Sequence, residues 1–443
     1  GTKVVVQDGG QYNVFIGNGQ TLVLGNVAYQ LKAVTSAVDP TRTSVAVVGA
    51  SGTAIEVKDS SLTGGALGGL LQFRNDTLTV AQNSIGRMAI ALSDTFNAQH
   101  KLGVDLNGAL GQNFFTQSSP SVLSNGMNQG NLLLDATFSN TAQLTTSDYT
   151  VEVNAGGNYV LTRLSDKQVL SPAGGYTNAN FPLTFDGITL SQVIPVGAAQ
   201  PGDSFLIQPT NSGARNLDVL VTDVAQVAAA APIVTGNVSS NKGSGVIGGS
   251  SVNAAYLATP LAGAVTLSYA TATTTLSGFP ALSPVTVTLP NGTATTYAAG
   301  APVPYTSGAA ISFDGITVTL SGAPANGDTF TIAPNAGGVS DGRNALLLGA
   351  LEGQKTIGGS TATFNDAYAQ LVSNIGNKTR QVDIANAAQT SLVAQIRFAD
   401  QSATGVNQDE ETANLLIFQQ MYQANAKVIQ TASTIFDAVL ALR

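Results

Sequence analysis

The chain has 443 residues, a formal net charge of −8 and no cysteine. Charged residues make up only 10% of it, against about 25% in an ordinary globular domain. Disulfides, thiolate nucleophiles and cysteine metal sites are therefore excluded, and without a clustered basic run so is a nucleic-acid partner, because phosphate neutralisation needs grouped Lys and Arg. The length suffices for roughly three domains. Aromatics are sparse at 6%, and Gly, Ala, Ser and Thr abound, a surface that suits β-rich extracellular proteins packed side by side. No stretch approaches the roughly 18 apolar residues of a membrane span; Ala228 to Val234 is far too short. No cleavable signal is read at Gly1. The opening on a strand-like run, Lys3 to Gln7, leads us to expect residues upstream.

Residues 1–60 alternate short β-like runs with turn residues such as Asp8-Gly9-Gly10 and Gly17-Asn18-Gly19. Leu67 to His100 then reads as a helix, with Leu67, Leu71, Leu78, Ile85, Met88 and Leu92 at spacings of three and four or their sums. Gly64-Gly65-Ala66-Leu67-Gly68-Gly69 at its start lacks the Lys-Ser/Thr of a phosphate loop and the G-x-G-x-x-G spacing, so it reads as a flexible helix entry. His100, the sole histidine, ends that stripe, where the helix dipole favours it. No cysteine or nucleophile-elbow serine accompanies it, so no catalytic group is expected. Asp105-Leu106-Asn107-Gly108 lacks the further ligands of a calcium loop and reads as a turn.

β-like runs return over 116–222 and again over 260–335, after a Gly/Ser-rich stretch at Gly236 to Ser251. An internal repeat relates them. Thr184-Phe185-Asp186-Gly187-Ile188-Thr189-Leu190 resembles Ser312-Phe313-Asp314-Gly315-Ile316-Thr317-Val318. Each copy is followed by a Gly-Asp pair and a strand, Gly202-Asp203-Ser204-Phe205 and Gly327-Asp328-Thr329-Phe330, closing on Pro209 and Pro334. Asp-Gly signals a hairpin because both residues tolerate positive φ. The wide spacing of Asp186, Asp203, Asp314 and Asp328 argues against calcium, whose loops cluster their oxygens.

A helical pattern resumes at Phe364, with Tyr368, Leu371, Ile375, Val382, Leu392 and Ile396 on one face, and breaks at Ser402 to Val406. Asn407 to Arg443 forms the last helix. Asn407 is a good N-cap, with Glu410 three positions on as in a capping box. Asp409, Glu410 and Glu411 put negative charge at the positive end of the dipole, an ordinary acidic first turn and not an acid–base pair. Leu415, Phe418, Tyr422, Asn425, Ile429, Ala432, Phe436 and Val439 alternate spacings of three and four, the seam of a coiled coil. Met421, Val428, Ile435 and Leu442 run beside it at every seventh residue. Leu415, Phe418, Tyr422, Ile429, Phe436 and Val439 are the candidate assembly residues; no catalytic, cofactor or metal site is expected.

The pattern predicts an α+β multidomain protein, a long α-helical rod of antiparallel or coiled-coil helices with inserted all-β domains. Residues 1–60 are read as a β segment of the first β domain and 61–115 as the first part of the rod. Residues 116–225 complete the first β domain, and 226–340 are an inserted second one. The rod resumes over 341–404, and 405–443 is the C-terminal assembly helix. The helix from Leu67 is expected to pack against the helix from Phe364, with the β domains projecting sideways.

Several segments resemble the bacterial flagellar hook-associated protein 1 family. They are Leu67 to Arg74, Phe96-Asn97-Ala98-Gln99-His100, Gly103 to Gly108, and Phe114-Phe115. Phe364-Asn365-Asp366-Ala367-Tyr368, Leu371 to Thr379, Ser402 to Glu411 around Gly405-Val406-Asn407, Phe418 to Ala424, Lys427 to Ala432 and Phe436-Asp437 extend the similarity. It covers 1–115 and 340–443 well and 116–225 loosely. The family's N-terminal helix, which pairs with the C-terminal one, is not seen here, and Pro232 to Gly338 has no clear counterpart in short members, as if an outer domain had been inserted by duplication.

The resemblance implies a secreted, extracellular structural protein of the bacterial flagellum, at the hook–filament junction, with no enzymatic activity. It implies export without a cleaved signal, self-assembly into a ring, contacts with the hook protein and the second hook–filament junction protein, and an export chaperone on the C-terminal helix. Cofactors, nucleic acid and membrane insertion are not expected. The alternative reading is a secreted adhesin or surface-layer module with repeated β domains, which fits the Thr/Ser/Gly-rich strands but leaves the terminal heptads without a purpose.

Overall fold

The computed structural model describes residues 2–6, 11–16, 19–49, 52–62, 64–336, 338–405 and 407–441. The expected turns at Asp8-Gly9-Gly10 and at Gly17-Asn18, and the positions Val406 and Leu442, lie outside the described residues. The chain divides into two compact units, 1–373 and 374–443.

The first unit opens with two small antiparallel sheets. One is a meander of β1 (Thr2–Val6), β2 (Tyr12–Ile16), β3 (Gln20–Leu24) and β4 (Val27–Ala28); the other is β5 (Gln30–Thr35), β6 (Thr43–Val48) and β7 (Ala54–Val57). Their inward residues Ile16, Val47 and Val57 share a core with Leu62 and with Leu71 of helix α1 (Gly65–Phe73). Here the structure departs from expectation: among the described residues, the strands of 1–60 pair only with one another and not with those of 116–225. Their core is completed by α1, so they form a module with the helical segment. Arg74 fastens it, donating from Nη2 to Asp59 (2.6 Å) and from Nη1 to the Thr43 carbonyl (2.6 Å).

The helix expected from Leu67 to His100 is continuous but not uniform. A π-turn at Arg74–Leu78 separates α1 from α2 (Thr79–Lys101). The face α2 buries is not the expected apolar stripe. It is Asn83, Gly86, Ala89, Ile90, Ala91, Ser93, Asn97 and His100. The reason is close backbone approach: a Cβ on Gly86 would lie 1.8 Å from the Thr210 carbonyl oxygen, and one on Gly213 would lie 2.4 Å from the Gly86 oxygen. At that crossing only a residue without a Cβ fits, and Ile90 beside it packs into the core of the neighbouring β domain. The stripe residues Ile85, Met88 and Leu92, with Phe96, instead line an open apolar groove of about 630 Å³ with Leu348, Leu351, Phe364 and Tyr368. Contact with the later helix is made where Met88 and Ala91 of α2 meet Phe364 and Ala367.

The first β domain is a sandwich. One sheet runs β11 (Tyr159–Arg163), β10 (Tyr149–Val153), β14 (Ser204–Gln208), β8 (Ser121–Ser124); the other runs β12 (Leu183–Phe185), β13 (Ile188–Gln192), β9 (Leu134–Phe138). Alternation along each strand sends Tyr149, Val151, Val153, Ile188, Leu190, Phe205 and Ile207 inward.

The second β domain repeats this plan with one further strand in the first sheet and two in the second. One sheet runs β15 (Ile233–Asn237), β24 (Thr329–Pro334), β17 (Val265–Ala270), β18 (Thr275–Ser277), β21 (Val303–Pro304). The other runs β16 (Val246–Val252), β23 (Ile316–Ser321), β22 (Ala309–Phe313), β19 (Val285–Thr288), β20 (Ala294–Tyr297). Thus β10–β14–β8 corresponds to β17–β24–β15, and β12–β13–β9 to β22–β23–β16. The first and last strands of this domain pair, Ile233 opposite Pro334, and the Asn335 amide donates to the Pro232 carbonyl (2.9 Å), so the two chain crossings lie side by side. Helix α3 (Arg343–Ala350) then leads to α4 (Phe364–Thr404).

The second unit holds the rest of α4 and helix α5 (Gln408–Leu440). Apart from half-buried Lys378, every side chain described in it is exposed.

Candidate assembly interface

Asn407 starts α5 as its composition demands. Its side-chain oxygen accepts from the Asp409 amide (3.1 Å) and its carbonyl from the Glu411 amide (2.9 Å), satisfying donors that the first turn would otherwise leave open. Beyond Glu411 the helix carries only two charges, Lys427 and Asp437. The seam residues Leu415, Phe418, Tyr422, Ile429, Phe436 and Val439 are all exposed, Tyr422 to 78% and Ile429 to 70%. Met421, Val428 and Ile435 beside them are exposed as well. Burying one such side chain is worth about 1.5–3 kcal/mol, so the six seam positions hold on the order of 10 kcal/mol in unburied apolar surface. A contiguous apolar patch of that extent is larger than soluble proteins ordinarily leave bare.

The groups tested for chemistry are used structurally. His100 is fully buried; its Nδ1 lies 2.7 Å from the Gln112 carbonyl, and its Nε2 accepts from the Ala228 amide (3.0 Å). These two bonds place the ring proton on Nδ1. The ring packs against Phe96 and Phe114, and Phe115 packs edge-on against both of those phenylalanines. Asn97, one turn earlier, accepts from the Phe114 and Phe115 amides (both 2.8 Å) and donates to the Phe115 carbonyl (2.8 Å). The end of α2 is thereby tied to 112–115 and to 228.

Asp105 caps its own turn through the Asn107 and Ala109 amides (both 2.9 Å). Gly64 and Gly65 hold positive φ (85° and 67°) where α1 begins. Among the described residues no group of three or more His, Cys, Asp or Glu is placed to hold a metal ion.

The four repeat aspartates fall into two pairs. Asp186 and Asp314 occupy the left-handed region (φ 43° and 47°) just before Gly187 and Gly315 (φ 80° and 75°), as in a two-residue hairpin of mirror-image type. Asp186 is held by Arg163 (2.6 Å) and Tyr149 (2.7 Å), and Asp314 by Ser283 at 2.5 Å. Burial and the facing Asp186 push the Tyr149 hydroxyl well above its usual range.

Asp203 and Asp328 form a clasp that sequence reading missed. Asp203 accepts from the amides of Gln129 (2.7 Å), Gly130 (3.1 Å) and Gln200 (2.8 Å). Asp328 accepts from those of Lys242 (2.8 Å), Gly243 (2.9 Å) and Ala325 (2.8 Å). Asn128 and Asn241 complete it by exchanging hydrogen bonds with the backbone of Ser204 and Thr329. The available signal was the recurrence of Asn-x-Gly at Asn128–Gly130 and Asn241–Gly243.

Comparisons with known proteins place these features in one lineage. Residues 1–115 match the model of the flagellar hook-associated protein FlgK helical domain, 123–209 that of the flagellar hook-associated protein 1 D2-like domain, and 232–334 that of its D3 domain. Residues 401–442 match the flagellar basal body rod FlgEFG protein C-terminal model. The D3 match gives residues 232–334 a counterpart among family members that carry this domain.

Flagellar hook-associated protein 1 of Escherichia coli is 32% identical over 444 residues, covering all of this chain and 61% of that protein; the Salmonella typhimurium protein is 33% identical and 62% covered. The chain thus spans about three-fifths of the curated relatives' length. The flagellar hook junction protein FlgK from Burkholderia pseudomallei superposes with a TM-score of 0.81 at 38% identity, over 91% of this chain and 75% of that one. The chain belongs to the flagellar hook-associated protein 1 family.

Proposed function

We propose that this chain is a structural element of the extracellular bacterial flagellum that joins hook to filament, and that the seam of α5 carries its assembly. The observation behind this reading is the fully exposed, nearly uncharged heptad surface from Leu415 to Val439 on a protein of this family. Such a helix is marginal alone in water and gains most of its stability from packing. The seam is wider than one partner helix needs, which suits a ring of copies with further contacts above and below. The partners that fit are other copies of the chain, the hook protein and the second hook–filament junction protein. Before export, a chaperone would shield the same seam. The helices from Thr79 and from Phe364 would contribute to a rod from which the two β domains project. The adhesin alternative receives no support from the comparisons, and it leaves the α5 heptads unexplained.

The test is co-assembly. Purified hook polymer is mixed with the chain in the presence and absence of the second junction protein, then pelleted. Retention that depends on both the hook end and the α5 seam is expected. Failure of the intact chain to associate with either axial protein would overturn the reading.

A further inference from the structure

The N-terminal β module and the first β domain meet at a polar seam. Each has its own apolar core, one built around Ile16, Val47 and Leu71 and the other around Tyr149, Leu161 and Phe205, and neither core includes a residue of the other module. What joins them is hydrogen bonding. The Gly126 amide donates to the Ala37 carbonyl (2.8 Å), and the Gln208 side-chain amide lies between two carboxylates, 3.3 Å from Asp39 Oδ2 and 3.5 Å from Asp148 Oδ2. Asp39, Asp148 and Gln208 are all buried. A cleft of about 600 Å³, lined in part by Thr41, Arg42, Ser121 and Gln208, draws its walls from both modules.

The two carboxylates are not equally provided for. Asp39 has its own cation, Arg42 Nε at 2.9 Å, and accepts from the Thr41 amide (3.0 Å) and hydroxyl (2.6 Å). Among the described residues the donors to the Asp148 carboxylate are both amides, Asn83 Nδ2 of α2 at 2.9 Å and the long bond from Gln208. The charged groups facing it are Asp39 and Arg42 from the β5–β6 loop; α2 presents Asn83 and β14 presents Gln208, both neutral. A buried carboxylate without a cation of its own, set near a second one, favours the protonated form.

We propose that this seam is an acid-tightened joint, in which uptake of a proton by Asp148 holds the N-terminal β module more firmly against the first β domain. Burial pushes the Asp148 carboxyl above its ordinary range and the Asp39 charge adds to this, while Asn83, Arg42 and Gln208 offset only part. If the seam opens, Asp148 returns to water and to an ordinary aspartate value. Closing therefore takes up a proton. The closed seam gains stability as pH falls through the raised value, and the gain is complete below the ordinary one. At neutral pH the incompletely compensated charge loosens the joint, which gives the β module play relative to its neighbour.

The chain has no cysteine, so two introduced ones can carry spin labels without other changes. Exposed Ala33 on β5 and Glu152 on β10 are suitable sites for Cys substitution. Distances between the labels are measured in the full chain by pulsed electron resonance at about pH 8 and about pH 4, the latter near the ordinary aspartate value. A broad distribution at the higher pH that narrows at the lower one is expected. In the same labelled chain Asp148→Asn should be narrow at both. An unchanged distribution without that substitution would overturn the proposal. So would an Asp148→Asn protein, folded by circular dichroism, that keeps the full pH response, because Glu56, Asp59 or another carboxylate would then be responsible.

Discussion

Asp203 and Asp328 hold the corresponding three backbone amides in two different domains, with bonds of 2.7–3.1 Å in one and 2.8–2.9 Å in the other. Each carboxylate joins the loop before the last strand to the loop that follows the edge strand beside it, β8 in one domain and β15 in the other. Replacing Asp203 by Ala leaves buried amides without acceptors, so the first β domain should lose about 1–3 kcal/mol. Asp328→Ala should destabilise the second domain in the same sense. Urea unfolding of each variant checks this.

The same pair sets a pH dependence. Burial pushes Asp203 up, but the amides of Gln200, Gln129 and Gly130 outweigh it and hold it below the usual range; the Lys242 amide leads in doing the same for Asp328. A lowered native value means the stabilisation is fully present above the ordinary aspartate range and is lost as pH falls through the lowered one. Thermal midpoints should therefore fall in acid in the unsubstituted chain. The Asp203→Asn, Asp328→Asn double variant should start lower and lose less over the same acid range.

Gly86 and the 210–213 loop make the tightest backbone contact on α2. Gly86→Ala should cost about 1–3 kcal/mol or shift the loop, since a methyl group cannot be accommodated without movement. Ala89→Gly on the same helix is a control that lowers helix propensity without overpacking. A Gly86→Ala protein as stable as the unsubstituted chain would contradict the packing described for α2.

His100→Ala removes two hydrogen bonds and a ring from the Phe96 and Phe114 cluster, so a loss of roughly 2–4 kcal/mol is expected. The first sign should be faster hydrogen exchange at Ala228 and at Phe114, whose amides His100 and Asn97 hold.

The second β domain should be dispensable for folding. Joining Ala231 to Asp341 by a short Gly/Ser linker removes a domain whose first and last strands already pair. Arg343 loses its bonds to the Ile233 carbonyl and Ser250, so α3 should loosen. The first β domain should keep its unfolding midpoint.

The parts of the fold that could be read from sequence were those fixed by local chemistry. The Asp186-Gly187 and Asp314-Gly315 hairpins need positive φ, and Asn407 supplies a cap, so turn and helix start were visible in a few residues. The strand duplication was visible for the same reason. The other half of each clasp, Asn128 to Gly130 and Asn241 to Gly243, was not, because its carboxylate lies far along the chain and a lone Asn-x-Gly looks like any turn. The buried face of α2 was misread because apolar spacing was followed where backbone approach at Gly86 decides the packing. The independence of residues 1–60 was hidden because Leu71, which completes their core, lies in a helix. Helix α5 was legible from its Asn407 cap and its three-and-four apolar period, which persists whether or not a partner is present.

The most direct test of the account places charge in that seam. Ile429→Asp and Phe436→Asp together put two carboxylates where an assembled helix would bury them, each costly without a counter-ion. Circular dichroism and unfolding of the β domains should be unchanged, because both side chains are exposed in the isolated chain. In cells whose own copy is replaced by the full-length protein carrying these changes, the variant should fail to join hook to filament, and motility should be lost. Normal motility with both aspartates in place would contradict the claim that the α5 seam carries assembly.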